Sequence, residues 1–159
     1  MAEQPTEKFW KMVEDFDACM VTTRDGGKLR SRPMAPRVSR ERSEILFITD
    51  RNSHKVDEVD ADSQVACTFT SKNEYVAVSG TATVTQDRAR IDEIWDAAAE
   101  AWMPQGKDSP DVAVLVIHPS QAEIWDVTSN KLTQAYEFAK AYLGDKPRPD
   151  TTENVKVSL

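Results

Sequence analysis

Tyr75-Val76-Ala77-Val78-Ser79-Gly80-Thr81-Ala82-Thr83-Val84-Thr85 is the stretch on which the fold turns. Val76, Val78, Ala82 and Val84 alternate with Tyr75, Ala77, Ser79, Thr81 and Thr83, the period of two that belongs to a strand with one buried face. Gly80 sits at its centre and predicts a bulge or the close approach of another backbone.

Upstream of it, residues 65–70 read as a strand, and Ile45-Leu46-Phe47-Ile48-Thr49 is apolar enough for a strand buried on both faces. Earlier still, Ala18-Cys19-Met20-Val21-Thr22-Thr23 runs into the turn Arg24-Asp25-Gly26-Gly27, and residues 29–38 read as the returning strand. Pro33 and Pro36 cannot donate to a ladder, which places that strand at an edge or a bulge. A helix over residues 6–17, with Phe9, Met12, Val13 and Phe16 on one face and Thr6 as its cap, precedes the sheet. A second, over residues 54–60, is capped by Ser53.

Downstream, Asp87 caps a helix whose Ile91, Ile94, Trp95, Ala98 and Trp102 form a single inward stripe. A Pro- and Gly-containing loop over 103–110 leads to a strand over 112–117, a turn at His118-Pro119-Ser120 and a strand over 122–127. A last helix starts at Ser129 or Asn130, turns Leu132, Ala135, Ala139 and Tyr142 inward, and is closed by Gly144. Residues 1–144 thus read as one domain and 145–159 as a tail, in which Val155, Val157 and Leu159 alternate and could pair as a short strand. Short strands, tight turns and short helical crossings predict a mainly β protein with peripheral helices, an antiparallel barrel rather than a doubly wound sheet.

At 40% hydrophobic and 30% charged residues, the chain of 159 is neither low-complexity nor a disordered polyanion. Its longest apolar runs fall far short of the ~20 residues of a membrane helix, so no membrane partner is expected. The polar start Met1-Ala2-Glu3-Gln4-Pro5 has no basic, then apolar, leader character, and a cytoplasmic location is the expectation. Cys19 and Cys67 lie in strand-like runs and read as packed thiols, with a bridge as the alternative. His54 and His118 are not at ligand spacing from a cysteine or from each other, so no metal site is expected.

The net charge of −7 argues against nucleic acid as a partner. Its distribution is uneven: Lys28, Arg30, Arg32, Arg37, Arg40, Arg42, Arg51 and Lys55 face only Glu41, Glu44 and Asp50 within residues 28–55, a local charge of +5 in a chain that is otherwise −12. Such a segment is either an anion site or a solvated basic surface. Thr49-Asp50-Arg51-Asn52-Ser53-His54-Lys55 favours the first, because His54 and Lys55 stand at the start of a helix, where the macrodipole prefers negative charge. A phosphate held by Ser53, the first-turn amides and Lys55, closed by Arg30 or Arg32, would remove the conflict.

Arg32-Pro33-Met34-Ala35-Pro36-Arg37, Phe47-Ile48-Thr49, Ser53-His54-Lys55 and Tyr75-Val76-Ala77-Val78-Ser79-Gly80-Thr81-Ala82 together resemble the pyridoxamine 5′-phosphate oxidase-like FMN-binding split barrels. The likeness runs over about residues 8–128 and is most similar to the general stress protein 26 branch, through Trp95, Trp102, Pro104, Gly106 and Trp125-Asp126. The resemblance implies a six-stranded antiparallel Greek-key split barrel and a homodimer with FMN at its interface, FAD or the deazaflavin F420 being alternatives. It assigns the FMN phosphate to Arg32, Ser53 and Lys55, with His54 where many oxidases have a second basic residue. Pro33 and Met34 would offer backbone groups to the flavin ring, Thr49 would contact the ribityl or phosphate part, and Phe47 and Ile48 would wall the ring. Tyr75 would stack or simply pack, and Trp102 and Trp125 would be either cofactor contacts or packing residues.

By the same likeness, a flavin-dependent oxidoreductase or stress-related flavoprotein acting on a small molecule is expected, with a non-catalytic flavin carrier as the alternative. The C-terminus Asn154-Val155-Lys156-Val157-Ser158-Leu159 lacks the Trp and Arg of true pyridoxamine phosphate oxidases, which argues against vitamin B6 oxidation. Flavin redox chemistry resides in the cofactor, so no catalytic side chain is assigned.

Overall fold

The computed structural model describes residues 3–127, 131–144 and 152–159. Its strands are β1 (Cys19–Asp25), β2 (Lys28–Met34), β3 (Arg37–Ser39), β4 (Glu44–Asp50), β5 (Gln64–Thr70), β6 (Glu74–Thr85), β7 (Val112–Val127) and β8 (Thr152–Ser158). Its helices are α1 (Pro5–Glu14), α2 (His54–Ala61), α3 (Arg88–Ile94), α4 (Ala97–Trp102) and α5 (Lys131–Tyr142).

All the strands join one antiparallel sheet in the order β2-β1-β5-β6-β7-β4-β3, with β8 paired to β7. The two ends of that path, β2 and β3, are consecutive in the chain and separated by Ala35 and Pro36 alone. Three residue steps reach about 11 Å at most. The sheet must therefore curl until its ends meet, and with no ladder between β2 and β3 among the described residues the barrel stays split there. The sheet has eight strands rather than the six expected, the short β3 and the C-terminal β8 being the additions.

Pro36 is the reason that residues 29–38 are two strands and not one: it has no N–H to give, and the chain changes neighbours at that point, β2 pairing β1 and β3 pairing β4. In contrast, His118-Pro119-Ser120 is no turn. β7 runs unbroken through it, and the irregularity is a register shift against Ser79 and Gly80. A Cβ on Gly80 would lie 2.2 Å from the His118 carbonyl oxygen, so the close backbone approach expected of this glycine is realised. Val112 to Ile117 pair β4 while residues 121–127 pair β8, so the two halves of β7 hold different partners on one edge.

Phe9, Val13, Val21, Ile45, Phe47, Phe69 and Ile124 are among the fully buried residues of the barrel interior, which α1 covers. Helix α1 begins at Pro5 with Gln4 before it, so Thr6 lies inside the helix and does not cap it. A second apolar cluster, on the other face of β4 and β7, packs Leu46, Val112, Val114 and Val116 against Ile91 of α3 and Met103.

The expected single helix after Asp87 is two. Asp96 starts α4 by accepting from the Ala99 amide at 2.8 Å, and Arg37 holds the same carboxylate with 2.6 and 3.1 Å hydrogen bonds. The expected stripe breaks accordingly: Ile91 is buried, Ile94 and Trp95 are half-buried, and Ala98 and Trp102 are exposed, with Ala99 buried in their place. In α5, Ala135, Ala139 and Tyr142 are exposed rather than inward, while Ser129, Asn130 and the Leu132 side chain lie outside the described residues. The tail does supply a strand: Val157 of β8 is buried in the barrel cluster. No helix among the described residues is long and apolar enough to cross a membrane.

Candidate anion site at the head of α2

β4 delivers Thr49 to the edge of the barrel, and the turn that follows is tied by the Asn52 amide on Asp50 Oδ1 (2.8 Å) and the Ser53 amide on the Asp50 carbonyl (3.1 Å). Ser53 then occupies the N-cap position of α2 with extended backbone, as expected, but its hydroxyl makes no capping bond. Ser53 Oγ is buried and has no hydrogen-bond partner among the described residues. A buried hydroxyl without a partner is costly, on the order of 1–3 kcal/mol, and points to a missing acceptor or donor. The first-turn amides of His54 and Lys55 beside it are of the kind a helix leaves without an internal acceptor.

Lys55, half-buried, donates from Nζ to Thr49 Oγ1 at 3.1 Å. No carboxylate lies within ion-pair distance of it among the described residues. Burial holds its ammonium below the usual lysine range, and the neighbouring Arg32 guanidinium lowers it further. Arg32 itself points from β2 toward α2: Nη1 donates to Thr23 Oγ1 (2.7 Å) and to the Val21 carbonyl (3.3 Å), and Nη2 to Glu58 Oε2 (2.9 Å). Glu58, 7% exposed, also accepts a short hydrogen bond from the Thr23 hydroxyl. Burial alone would raise the Glu58 carboxyl, but the Thr23 bond and Arg32 outweigh it and hold the group below its ordinary value.

Apart from Lys28, the rest of the cationic segment is neutralised. Arg30 pairs Asp25, Arg37 pairs Asp96, Arg40 pairs Glu7 and Glu14, Arg42 pairs Glu93 and Arg51 pairs Asp60, while Lys28 is exposed at the hairpin. Arg32 rather than Arg30 is therefore the arginine at the head of α2, and its pairing with Glu58 leaves Lys55 as the cation without a carboxylate there. Thr23 and Glu58 were not among the residues singled out from sequence. Their role follows from strand register and from the approach of α2 to β1 and β2, for which no local sequence pattern exists.

The other expected contacts divide. Pro33 and Met34 end β2 opposite Met20 and Cys19, with Met34 packed against the barrel core. Phe47 is 0% exposed in the barrel interior, so its side chain does not wall a ligand; the strand alternation turns Ile48 to the other face, half-buried against the α3 cluster. His54 is exposed on α2. Tyr75, 41% exposed, pairs with Trp125 across β6 and β7, and β1 and β5 separate that pair from β2. Trp102, at the end of α4, is 83% exposed and belongs to neither apolar cluster. The fold thus brings Arg32, Thr49, Ser53 and Lys55 together, and among the described residues no side-chain hydrogen bond ties Tyr75, Trp102 or Trp125 to that group.

A split antiparallel barrel carries, at the head of its first crossing helix, a half-buried lysine and a buried serine hydroxyl without a partner among the described residues. The family assignment is direct. The family model described as pyridoxamine 5′-phosphate oxidase like matches residues 4–150, and the chain belongs to that family. It is 30% identical to a candidate general stress protein 26 from Jannaschia sp. CCS1, with a TM-score of 0.75 over 97% of this chain and 98% of that one. It is 26% identical to the general stress FMN/FAD binding protein from Xanthomonas citri, with a TM-score of 0.70 over 79% of this chain and 90% of the other. Protein bli-3 of Neurospora crassa is 27% identical over 141 residues, 80% of this chain and 68% of that protein.

Proposed function

We propose that the protein is an FMN-binding flavoprotein that serves flavin-dependent oxidation or reduction of a small molecule as a homodimer, with the cofactor at the subunit interface. One observation carries the reading: among the described residues Lys55 lacks a carboxylate at ion-pair distance and Ser53 Oγ lacks any partner, side by side at a helix N-terminus. A phosphate monoester supplies what both lack, acceptor oxygens and negative charge, where the helix dipole also favours them.

In this reading Lys55, Ser53 and the first-turn amides hold the phosphate, and Thr49 positions the Lys55 ammonium through their 3.1 Å hydrogen bond. Arg32 adds charge from the side, itself fixed by Glu58 and Thr23. Pro33 and Met34 offer backbone groups to the ring, while Phe47 and Ile48 are taken up by the two apolar clusters. Tyr75, Trp102 and Trp125, which make no side-chain hydrogen bond to the cradle among the described residues, are the residues a dimer would supply across its interface. A bound flavin would supply the redox chemistry, and the protein its binding, orientation and electrostatics. The FMN/FAD binding named for the Xanthomonas citri relative supports a flavin in particular.

The test is the visible absorption spectrum of the purified protein, before and after incubation with FMN and removal of the excess on a sizing column. Flavin bands eluting with protein at dimer size are expected, and NADH or NADPH oxidation faster than with free flavin should follow. A protein that emerges colourless after incubation would overturn the reading.

A further inference from the structure

Helix α5 turns its apolar face to solvent. Ala135, Phe138, Ala139 and Tyr142 follow the spacing that puts side chains on one helical face, with Tyr136 and Leu143 along its margin. All six are exposed, whereas Gln134, Glu137, Lys140 and Ala141 on the opposite side are half-buried. No described residue of α5 joins either apolar cluster. The sheet also closes without the helix: Val127 at the end of β7 pairs Thr152 at the start of β8, so the chain leaves the sheet and rejoins it at one rung, and α5 stands on the excursion between.

The large side chains of this face, Tyr136, Phe138, Tyr142 and Leu143, are 62, 58, 91 and 76% exposed. They present roughly 500 Å² of apolar surface, at about 200 Å² for a whole aromatic side chain. Single exposed apolar residues are ordinary, but a contiguous patch of this size marks an interaction site. Two features of the patch select its occupant. It is self-complementary: in an antiparallel pair of α5 helices with the twofold axis between residues 138 and 139, Ala135 lies opposite the partner's Tyr142 and Phe138 opposite the partner's Ala139, so each ring meets a methyl group. Nor is the helix strongly basic: it carries Glu137 with Lys131 and Lys140, in a chain of net charge −7, unlike the Lys- and Arg-rich helices that lie on anionic membranes.

Resting on the homodimer of the flavin reading above, we propose that α5 is a dimerisation arm, paired antiparallel with α5 of a second copy of the chain through Ala135, Phe138, Ala139 and Tyr142. The pair buries about half of the roughly 800 Å² that each partner of a standard interface covers, and the barrel supplies the rest.

Sedimentation velocity of the full chain across a dilution series, with and without FMN, tests the pairing in the wild type and in Phe138→Asp. The wild type is expected to sediment as a dimer. Phe138→Asp puts a charge into each half of the seam and should weaken dimerisation at least about a hundredfold. Its far-ultraviolet circular dichroism spectrum should not change, because Phe138 packs in neither apolar cluster. Cysteine cross-linking reads the register, since the native Cys19 and Cys67 are buried. Ala139→Cys lies beside the twofold axis and should give a disulfide-linked dimer on mild oxidation, whereas Thr133→Cys, roughly 16 Å along the helix axis from its copy, should not. Equal cross-linking of the two variants would overturn the antiparallel register. A Phe138→Asp protein that dimerises as tightly as the wild type would overturn the arm alone. A monomeric wild type would overturn both the arm and the homodimer, while leaving flavin binding to its own spectrum. A monomeric Phe138→Asp protein that still retains FMN would support the arm and remove the flavin from the subunit interface.

Discussion

Arg40 and Lys55 belong to the same cationic segment, and the fold treats them in opposite ways. Arg40 is clamped between Glu7 and Glu14 of α1, at 3.1 and 2.5 Å, on the surface of the molecule. Lys55 is half-buried, reaches a threonine hydroxyl, and meets no carboxylate at ion-pair distance among the described residues. Both contribute equally to the charge of the segment. What separates them is the layer opposite: α1, α3 and the start of α4 are acidic and neutralise Arg37, Arg40 and Arg42, whereas the one buried acid near Lys55 is taken by Arg32. Within the basic run, the candidate for a site is thus the half-buried cation that the tertiary structure leaves without an acid, whereas the equally unpaired Lys28 is simply solvated at the hairpin.

Reversing the charge of Lys55 is the sharpest way to break this contrast. Lys55→Glu should weaken flavin binding by at least about a hundredfold, roughly 3 kcal/mol, with an unchanged far-ultraviolet circular dichroism spectrum. Unchanged affinity would remove Lys55 from the phosphate site. Next in size is Glu58→Gln, which leaves Arg32 without its counter-charge. A loss of about 2 kcal/mol in urea unfolding is expected, below the usual cost of breaking a buried pair because Arg32 retains some exposure. The Glu58 carboxyl is held below its ordinary value, so its contribution is full above the unfolded pKa and disappears as the pH falls through the folded one. The variant and wild-type stabilities should therefore converge in acid; a constant gap from neutral pH into acid would refute the assignment.

A smaller effect comes from Lys55 itself. Its ammonium is held below the lysine range, so the free protein loses that proton at a lower pH than an ordinary lysine does. Flavin affinity should decline as the pH rises through this lowered value, while the stability of the flavin-free protein rises up to the ordinary lysine range. An affinity flat across the alkaline range would mean that Lys55 is not a ligand. Smallest of all is Arg42→Ala, which removes an exposed pair with Glu93 and should shift neither the urea midpoint nor the flavin affinity measurably. A clear loss of flavin in that variant would erase the distinction between the two groups of cations.

Much of the barrel was legible in the chain because its signals are local. The alternation in residues 75–85, the Gly26-Gly27 turn and the crowding at Gly80 each follow from a few neighbouring residues, and each is present in the structure. The readings that failed depended on distant partners. His118-Pro119-Ser120 has the composition of a turn, yet β6, β4 and β8 hold β7 straight through it. The helix after Asp87 has an unbroken periodic stripe, yet Arg37 and Ala99 claim Asp96 and divide it. Phe47 and Ile48 are equivalent in sequence, and strand direction alone puts the first in the barrel and the second outside it.

By itself the sequence determined the strand periodicity, the bulge at Gly80, the strand-to-helix junction from Thr49 to Lys55, and the charge gathered around it. These are properties of adjacent residues, set by backbone sterics, capping and side-chain period. The tertiary structure alone decided which cations find an acid, that Ser53 Oγ finds no partner among the described residues, and that Thr23, Arg32 and Glu58 form one largely buried network beside Lys55. Those outcomes rest on the register of β1 against β2 and on the approach of α2 to both, contacts between residues far apart in the chain, which the local pattern does not specify.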